Sequence, residues 1–154
     1  MATPQSGLSD ASMALLEAVL DAIIPRSESR GMPGAGEVGL APLLCENALG
    51  FVEAVTPGLD ALREEMESRQ VADLAAQPDS EKRSLLEAAA AKDPAFLPGL
   101  LFQVYSNYYQ QPRVLVALGM EGRPPYPEGY ALEAGDQSLL DPVRRRAPLY
   151  REVP

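Results

Sequence analysis

Hydrophobic positions recur along the chain at the spacing of helices with one buried face. The first such segment, "LSDASMALLEAVLDAIIP", places its apolar residues three and four apart: Met13, Leu16, Val19, Leu20, Ile23 and Ile24. Ser9 is suited to cap this helix, and Asp10 lies near its positive end. Pro25 ends the helix, because proline disfavours helical backbone at the residue before it.

Five further segments, the last of them short, also predict helices. A loop rich in glycine, serine and proline follows the first helix, and the second helix is predicted over about 38–49. The third has Thr56 as its cap and Pro57 at its first position. The fourth is capped by Asp79 or Ser80. The fifth starts at the "DP" of Asp93 and Pro94 and runs to about residue 110, and a short sixth, "PRVLVALG", ends at Gly119.

No run of residues alternates between apolar and polar in the way that strands do. The pattern therefore predicts an all-α fold, with five or six helices around one core in residues 1–119. Residues 120–154 are rich in proline but keep well-spaced large apolar residues: Tyr126, Tyr130, Leu132, Leu139, Leu140, Val143, Leu149 and Tyr150. A disordered tail usually has few aromatics, so we expect an extended C-terminal tail docked on the helical body or on a partner.

Three tyrosines in "QVYSNYYQQPRV" are predicted to share one helical face, since they are spaced i, i+3 and i+4. Such a face can pack into the core, line a ligand pocket or contact another protein. At least one ring is expected to pack inside. Tyrosine and arginine are common in interface hot spots, so the candidate partner-binding residues are the six tyrosines: Tyr105, Tyr108, Tyr109, Tyr126, Tyr130 and Tyr150.

The composition of the chain argues against several classes of function. The formal net charge is −9, and residues 1–111 hold 16 acidic and 7 basic residues. Such a body repels phosphate backbones and anionic lipid, which argues against binding nucleic acid or a membrane surface. The chain has no histidine, so the commonest general base and metal ligand is missing. We therefore predict no catalytic, metal or cofactor site on this chain.

The remaining candidate features are better explained by structure than by chemistry. Cys45 lies in "APLLCENAL" and is expected to be a buried small hydrophobe, with an intermolecular disulfide as the alternative. The carboxylates of Asp136 and Asp141 could cooperate in proton transfer, although nothing in the pattern places them near a pocket. "GMPGAGEVG" follows a helix and lacks the lysine of a phosphate loop, and "RRR" at 144–146 is typical of surface charge.

The N-terminal residues lack the basic and apolar regions of a signal peptide, and no stretch is long and apolar enough to span a membrane. We therefore expect a cytoplasmic protein.

Two motifs resemble the gluconate 2-dehydrogenase subunit 3 family. Asp21, Ile23, Ile24 and Pro25 match the family's Asp-x-Ile-Ile-Pro helix end, and "PGA" at 33–35 matches the loop that follows. The segments "YSNYYQQPRVLVALG" and "RPPYPEGYALEAGDQSLLDPVRRRAPLYR" are also similar to the ends of some members. The middle, about 55–90, matches only as helices.

The resemblance implies a small non-catalytic subunit that helps a large partner to fold or to be exported. That partner is a flavin-dependent dehydrogenase of the glucose–methanol–choline type, which carries FAD and oxidises sugars or polyols, and a cytochrome subunit often completes the complex. Many members carry a twin-arginine signal, which this chain lacks. The resemblance therefore implies a periplasmic location only if a signal-bearing partner exports the chain, and a cytoplasmic one otherwise. The alternatives are a stand-alone module whose tyrosines line a ligand pocket, and an enzyme that uses carboxylates and tyrosines.

Overall fold

The computed structural model describes residues 7–123, 126–131 and 133–147. These residues form seven α-helices: α1 Asp10–Ile23, α2 Leu40–Asn47, α3 Phe51–Ser68, α4 Asp79–Lys92, α5 Phe96–Tyr108, α6 Pro112–Ala117 and α7 Asp141–Arg144. Over these ranges there is no β-strand, and a single isolated bridge joins Ser27 to Met32. The prediction of an all-α fold is confirmed, with six of the helices in the body of the protein.

Helix α1 has the cap and the buried stripe that its sequence predicts. The side-chain oxygen of Ser9 accepts a hydrogen bond from the backbone N–H of Ser12 at 3.2 Å, which satisfies one of the free donors at the helix start. Leu16, Val19 and Leu20 have no exposed surface. Local capping and tertiary burial thus specify the same helix.

Helix α3 begins earlier than predicted, and Pro57 lies inside it rather than at its first position. Gly50, with φ of 72°, precedes the first helical residue, Phe51. Phe51 and Val55 are one turn apart and buried, at 6% and 4% exposure, so core packing favours helix before the proline. The hydroxyl of Thr56 does not cap the helix but donates to the carbonyl one turn earlier, at 2.6 Å.

The predicted caps of α4 and α5 are also wrong. Helix α4 has Asp79 as its first residue, and Pro78 occupies the cap position without a side-chain hydrogen bond. Helix α5 begins at Phe96, and the carboxylate of Asp93 accepts instead from the N–H of Ala95, at 3.2 Å, in the turn before the helix. At both helices the short polar residue correctly indicates where the chain turns, but the first helical residue differs from the predicted one.

The core lies around α3, which packs against α4, α5 and α1, while α2 packs on α1 and α5. Gly58 of α3 lies against Phe96 of α5 so closely that a Cβ at this glycine would overlap the aromatic ring. The ring itself is 2% exposed. Because this glycine has no side chain, the ring of Phe96 packs directly against the backbone of α3, which keeps α3 and α5 in close contact.

The chain divides into two compact units, with the boundary between residues 124 and 125. The second unit holds a 3₁₀ turn, Gln137–Leu140, followed directly by α7. The carboxylate of Asp136 accepts from both the N–H and the hydroxyl of Ser138, at 3.0 and 2.6 Å, and so caps this turn. A short helical segment thus interrupts the tail that the sequence analysis predicted to be extended.

Candidate partner-binding surface

Tyr108, near the end of α5, is an anchor between this helix and the loop after α1. Its side chain has no exposed surface, and its hydroxyl donates a 2.6 Å hydrogen bond to the carbonyl oxygen of Pro33. Burial is the main cause that raises the pKa of this hydroxyl, with smaller contributions from Tyr109 and Glu37. The phenol is therefore protonated and serves as a structural donor.

The loop itself is held against α1 by Asp21. Its carboxylate accepts the backbone N–H of Gly36 at 2.8 Å, and the N–H of Ala35 donates to the carbonyl of Ile24 at 3.0 Å. A Cβ at Gly36 would lie 2.6 Å from this carboxylate, and one at Gly34 would overlap it. The two short motifs of the sequence analysis therefore form one structural unit, in which glycine permits the close approach of the loop to the acid.

Two of the clustered tyrosines face outward. Tyr105 and Tyr109 are 47% and 46% exposed, and their rings stack with centroids 6.4 Å apart. One turn before Tyr105, Phe102 is 70% exposed. These three residues lie on the same side of α5, and we call them the α5 aromatic face.

The expectation that Tyr105, Tyr108 and Tyr109 share one face is therefore wrong. The buried residues of α5 repeat every fourth position, Phe96, Leu100, Val104 and Tyr108, so this series places Tyr108 inside. Its ring meets that of Tyr109 edge-on, with centroids 5.1 Å apart. Since Tyr108 has no exposed surface, it cannot contact a partner directly without a rearrangement, and its role here is in the core.

The stretch of sequence that carries the α5 aromatic face holds no charged residue. Residues 94–112 contain no acidic or basic side chain, although 23% of the chain is charged. The cores of protein–protein interfaces are typically depleted of charge and enriched in tyrosine and phenylalanine. The exposed rings and their neutral flanks thus have the composition of an interface centre.

The other predicted partner-binding tyrosines lie in the second unit. Tyr126 is 86% exposed, Tyr130 is half-buried, and Tyr150 lies outside the described residues. Within the same unit Leu139, Leu140 and Val143 are exposed, and Arg144 pairs with Asp141 at 3.4 Å. The second unit therefore also presents apolar side chains to solvent.

Two clefts in the body are lined by other residues than tyrosine. A cleft of about 690 Å³ separates the loop after α1 from α6. On its wall Arg26 pairs with Glu37 at 3.0 Å, and Arg113 donates to the backbone carbonyl of Glu37 at 2.9 Å. A second cleft, of about 470 Å³, lies between the first turns of α3 and α5. Neither cleft is predictable from sequence patterns, because each is formed by segments far apart in the chain.

Asp136 and Cys45, which the sequence marks as candidates for chemistry, each have a pKa that local structure shifts. The carboxyl of Asp136 has its pKa lowered by the two hydrogen bonds from Ser138, so it stays ionised as a cap. The thiol of half-buried Cys45 has its pKa raised, chiefly by burial and then by Glu46.

The described residues contain no group of three or more histidine, cysteine, aspartate or glutamate side chains placed to hold a metal ion. No helix among them combines the length and apolar character needed to cross a bilayer.

Comparison with known proteins gives no match to a protein-family model, to a curated protein sequence or to a solved structure.

Proposed function

We propose that the chain is a small non-catalytic subunit that binds and stabilises a large FAD-dependent dehydrogenase of the glucose–methanol–choline type. The observation that carries the proposal is the α5 aromatic face, three exposed rings on a neutral stretch of an otherwise acidic protein. Rings of this size are costly to leave in water, and a partner that covers them gains apolar burial on binding.

The resemblance to the gluconate 2-dehydrogenase subunit 3 family supplies the identity of the partner. The residues that carry it, Asp21 to Pro25 and Pro33 to Ala35, meet in one loop-and-helix unit, and Tyr108 ties that unit to the helix with the exposed rings. Motifs with such a structural role fit a subunit that acts as a scaffold rather than as a catalyst. FAD and the chemistry then belong to the partner, which oxidises a sugar or polyol, and in complexes of this family a cytochrome subunit often accepts the electrons.

The mechanism of stabilisation is mass action. A subunit that binds only the folded dehydrogenase lowers the population of its unfolded state by a factor set by subunit concentration and affinity. The complex works in the cytoplasm, or in the periplasm when the dehydrogenase carries the export signal for both.

Co-expression tests this proposal. A flavin-dependent dehydrogenase of this type from the same genome is expressed alone, with the wild-type chain, and with a Phe102→Ala, Tyr105→Ala variant, and soluble FAD-containing dehydrogenase is measured by its flavin absorbance. We expect the wild-type chain to raise the soluble yield severalfold and the variant to raise it much less. An equal yield with and without the wild-type chain contradicts the proposal.

A further inference from the structure

A groove between α3 and α5 is lined by none of the three rings of the α5 aromatic face. Its volume is about 470 Å³, and its floor includes the buried side chains of Phe51, Val55, Phe96 and Leu100. Leu49 lies at one end and is fully exposed. A volume at the lower end of the range for binding clefts accommodates one or two apolar side chains, and the floor offers them apolar contact.

The charges that line the groove are all acidic. Glu53 is exposed and Asp93 is half-buried, and no lysine or arginine lines the groove in the described part of the chain. None of the ion pairs or hydrogen bonds found among the described residues engages the carboxylate of Glu53, whereas that of Asp93 accepts only the N–H of Ala95. The free carboxylate of Glu53 is therefore the group of the groove that can pair with a positive charge beside an apolar side chain of a ligand.

The backbone of the groove wall offers a further acceptor. The carbonyl oxygen of Glu53 lacks its usual helical donor four residues on, because that position is Pro57, which has no N–H. Both residues line the groove. A lysine or arginine side chain, with three or five N–H donors, is able to hydrogen-bond this carbonyl and a carboxylate together.

The α5 side of the groove has room for a docked chain. Gly99 lies on this wall, and a Cβ built on it meets no other atom within 4 Å. A bare backbone therefore faces open space, and a ligand is able to approach it closely. Short helices or peptides that lay apolar side chains into such grooves are a common mode of recognition.

We propose that this groove binds a segment of the partner dehydrogenase in which a large apolar side chain stands beside a lysine or arginine. The inference rests on the proposed function for the identity of the partner, and it adds a second contact with a defined chemistry. The apolar side chain covers the floor, and the cation pairs with Glu53 at the rim.

The test uses two groove variants and a matched control. Glu53→Lys reverses the charge of a lining side chain, and Gly99→Leu adds bulk to the groove wall at a position where a Cβ meets no neighbour within 4 Å. Glu67→Lys makes the same charge change on the same helix, at an exposed residue outside the groove. Circular dichroism and thermal unfolding first establish that all three chains fold.

Affinity for the purified dehydrogenase is then measured by calorimetry. We expect Glu53→Lys and Gly99→Leu each to weaken binding at least tenfold, and Glu67→Lys to change it less than twofold. If the wild-type chain binds and both groove variants bind equally well, the groove inference is overturned while the proposed function stands. If the variants alter self-association of this chain instead of the complex, the occupant is a second copy, and the inference is likewise overturned.

A peptide probe decides the case in which the dehydrogenase does not bind even the wild-type chain, which contradicts the proposed function. The ¹⁵N-labelled chain is titrated with an amphipathic peptide of leucine and lysine, and with the same peptide carrying glutamate for lysine. Shifts confined to the amides of Ala54, Gly99 and Gln103, seen with the lysine peptide and lost in Glu53→Lys, support the groove chemistry. No shifts, or equal shifts with both peptides, overturn it.

Discussion

The hydroxyl of Tyr108 lies 2.6 Å from the carbonyl oxygen of Pro33, which it bonds across 75 positions of sequence. This single contact joins the end of α5 to the loop that Asp21 holds against α1. The hydrogen bond is buried, so neither group has water as a substitute partner. The hydroxyl oxygen of Tyr108, which phenylalanine would lack, thus helps to fix the α5 aromatic face relative to the loop.

We expect Tyr108→Phe to lower the free energy of unfolding by about 1–2 kcal/mol, because it leaves a buried carbonyl without its donor. Tyr105→Phe removes an exposed hydroxyl from the same helix and is expected to change stability by less than about 0.5 kcal/mol. Urea denaturation followed by circular dichroism measures both variants. Equal effects of the two substitutions would show that the bond to Pro33 contributes nothing specific.

The raised pKa of Tyr108 predicts a loss of stability in alkaline solution. Its pKa in the unfolded chain is near 10, and burial raises the folded value above this. The stabilisation is fully present below the unfolded pKa. As pH rises through the folded pKa it is lost, because the unfolded state releases its proton first. The stability difference between wild type and Tyr108→Phe should therefore shrink as pH rises from about 8 to about 11. A constant difference over this range would refute the assignment.

Gly36 and Asp21 should be energetically coupled. A Cβ at Gly36 would press on the carboxylate of Asp21, so Gly36→Ala is expected to cost about 1–3 kcal/mol. Asp21→Ala removes the acceptor of the Gly36 N–H and is expected to cost a similar amount, about 1–3 kcal/mol. The double variant should cost less than the sum, since the alanine side chain relieves the overlap. Gly99→Ala, with open space at its Cβ, should instead stabilise α5 by about 0.5–1 kcal/mol.

The α5 aromatic face should matter to the complex rather than to the fold. Replacing Phe102 and Tyr105 by alanine removes two exposed rings and leaves the contact between Tyr108 and Tyr109 in place. Affinity for the dehydrogenase is expected to fall by about 10- to 100-fold, in the range of hot-spot residues. The midpoint of thermal unfolding should hardly change. Glu87→Ala, at an exposed position on α4, is the control and should leave affinity unchanged.

The body should fold without the second unit. Every buried hydrophobic side chain among the described residues lies at or before Leu115. A chain that stops after residue 124 is therefore expected to keep a cooperative thermal transition and to lose affinity for the dehydrogenase. A truncated chain without such a transition would mean that residues 125–154 complete the core.

Sequence periodicity is a good guide to α1, because Ser9 and the stripe that contains Leu16 and Leu20 specify the same helix. It fails at the start of α3, where burial of Phe51 and Val55 outweighs the preference of Pro57 for the first helical turn. Local preferences of about 1 kcal/mol per residue lose to the packing of two large side chains.

Tertiary packing also decides features of the candidate surface that sequence periodicity does not predict. The spacing of the tyrosines indicates a helical cluster and one buried ring, but which ring is buried depends on the series that begins at Phe96. The groove between Leu49 and Gly99 was not predictable, since it needs two helices brought together by Gly58. For the α5 aromatic face, the uncharged stretch 94–112 was a further sequence signal.

The neutral face of α5 on a chain of net charge −9 has a consequence for how separate copies behave in solution. At low ionic strength, mutual repulsion keeps the copies apart and the exposed rings wet. At about 0.15 M salt the Debye length falls to about 8 Å, and the neutral patches come within range of one another. The unassembled subunit should therefore stay dispersed at low ionic strength and associate as salt is added. Light scattering during a salt titration should show the mean particle size rising as the charges are screened.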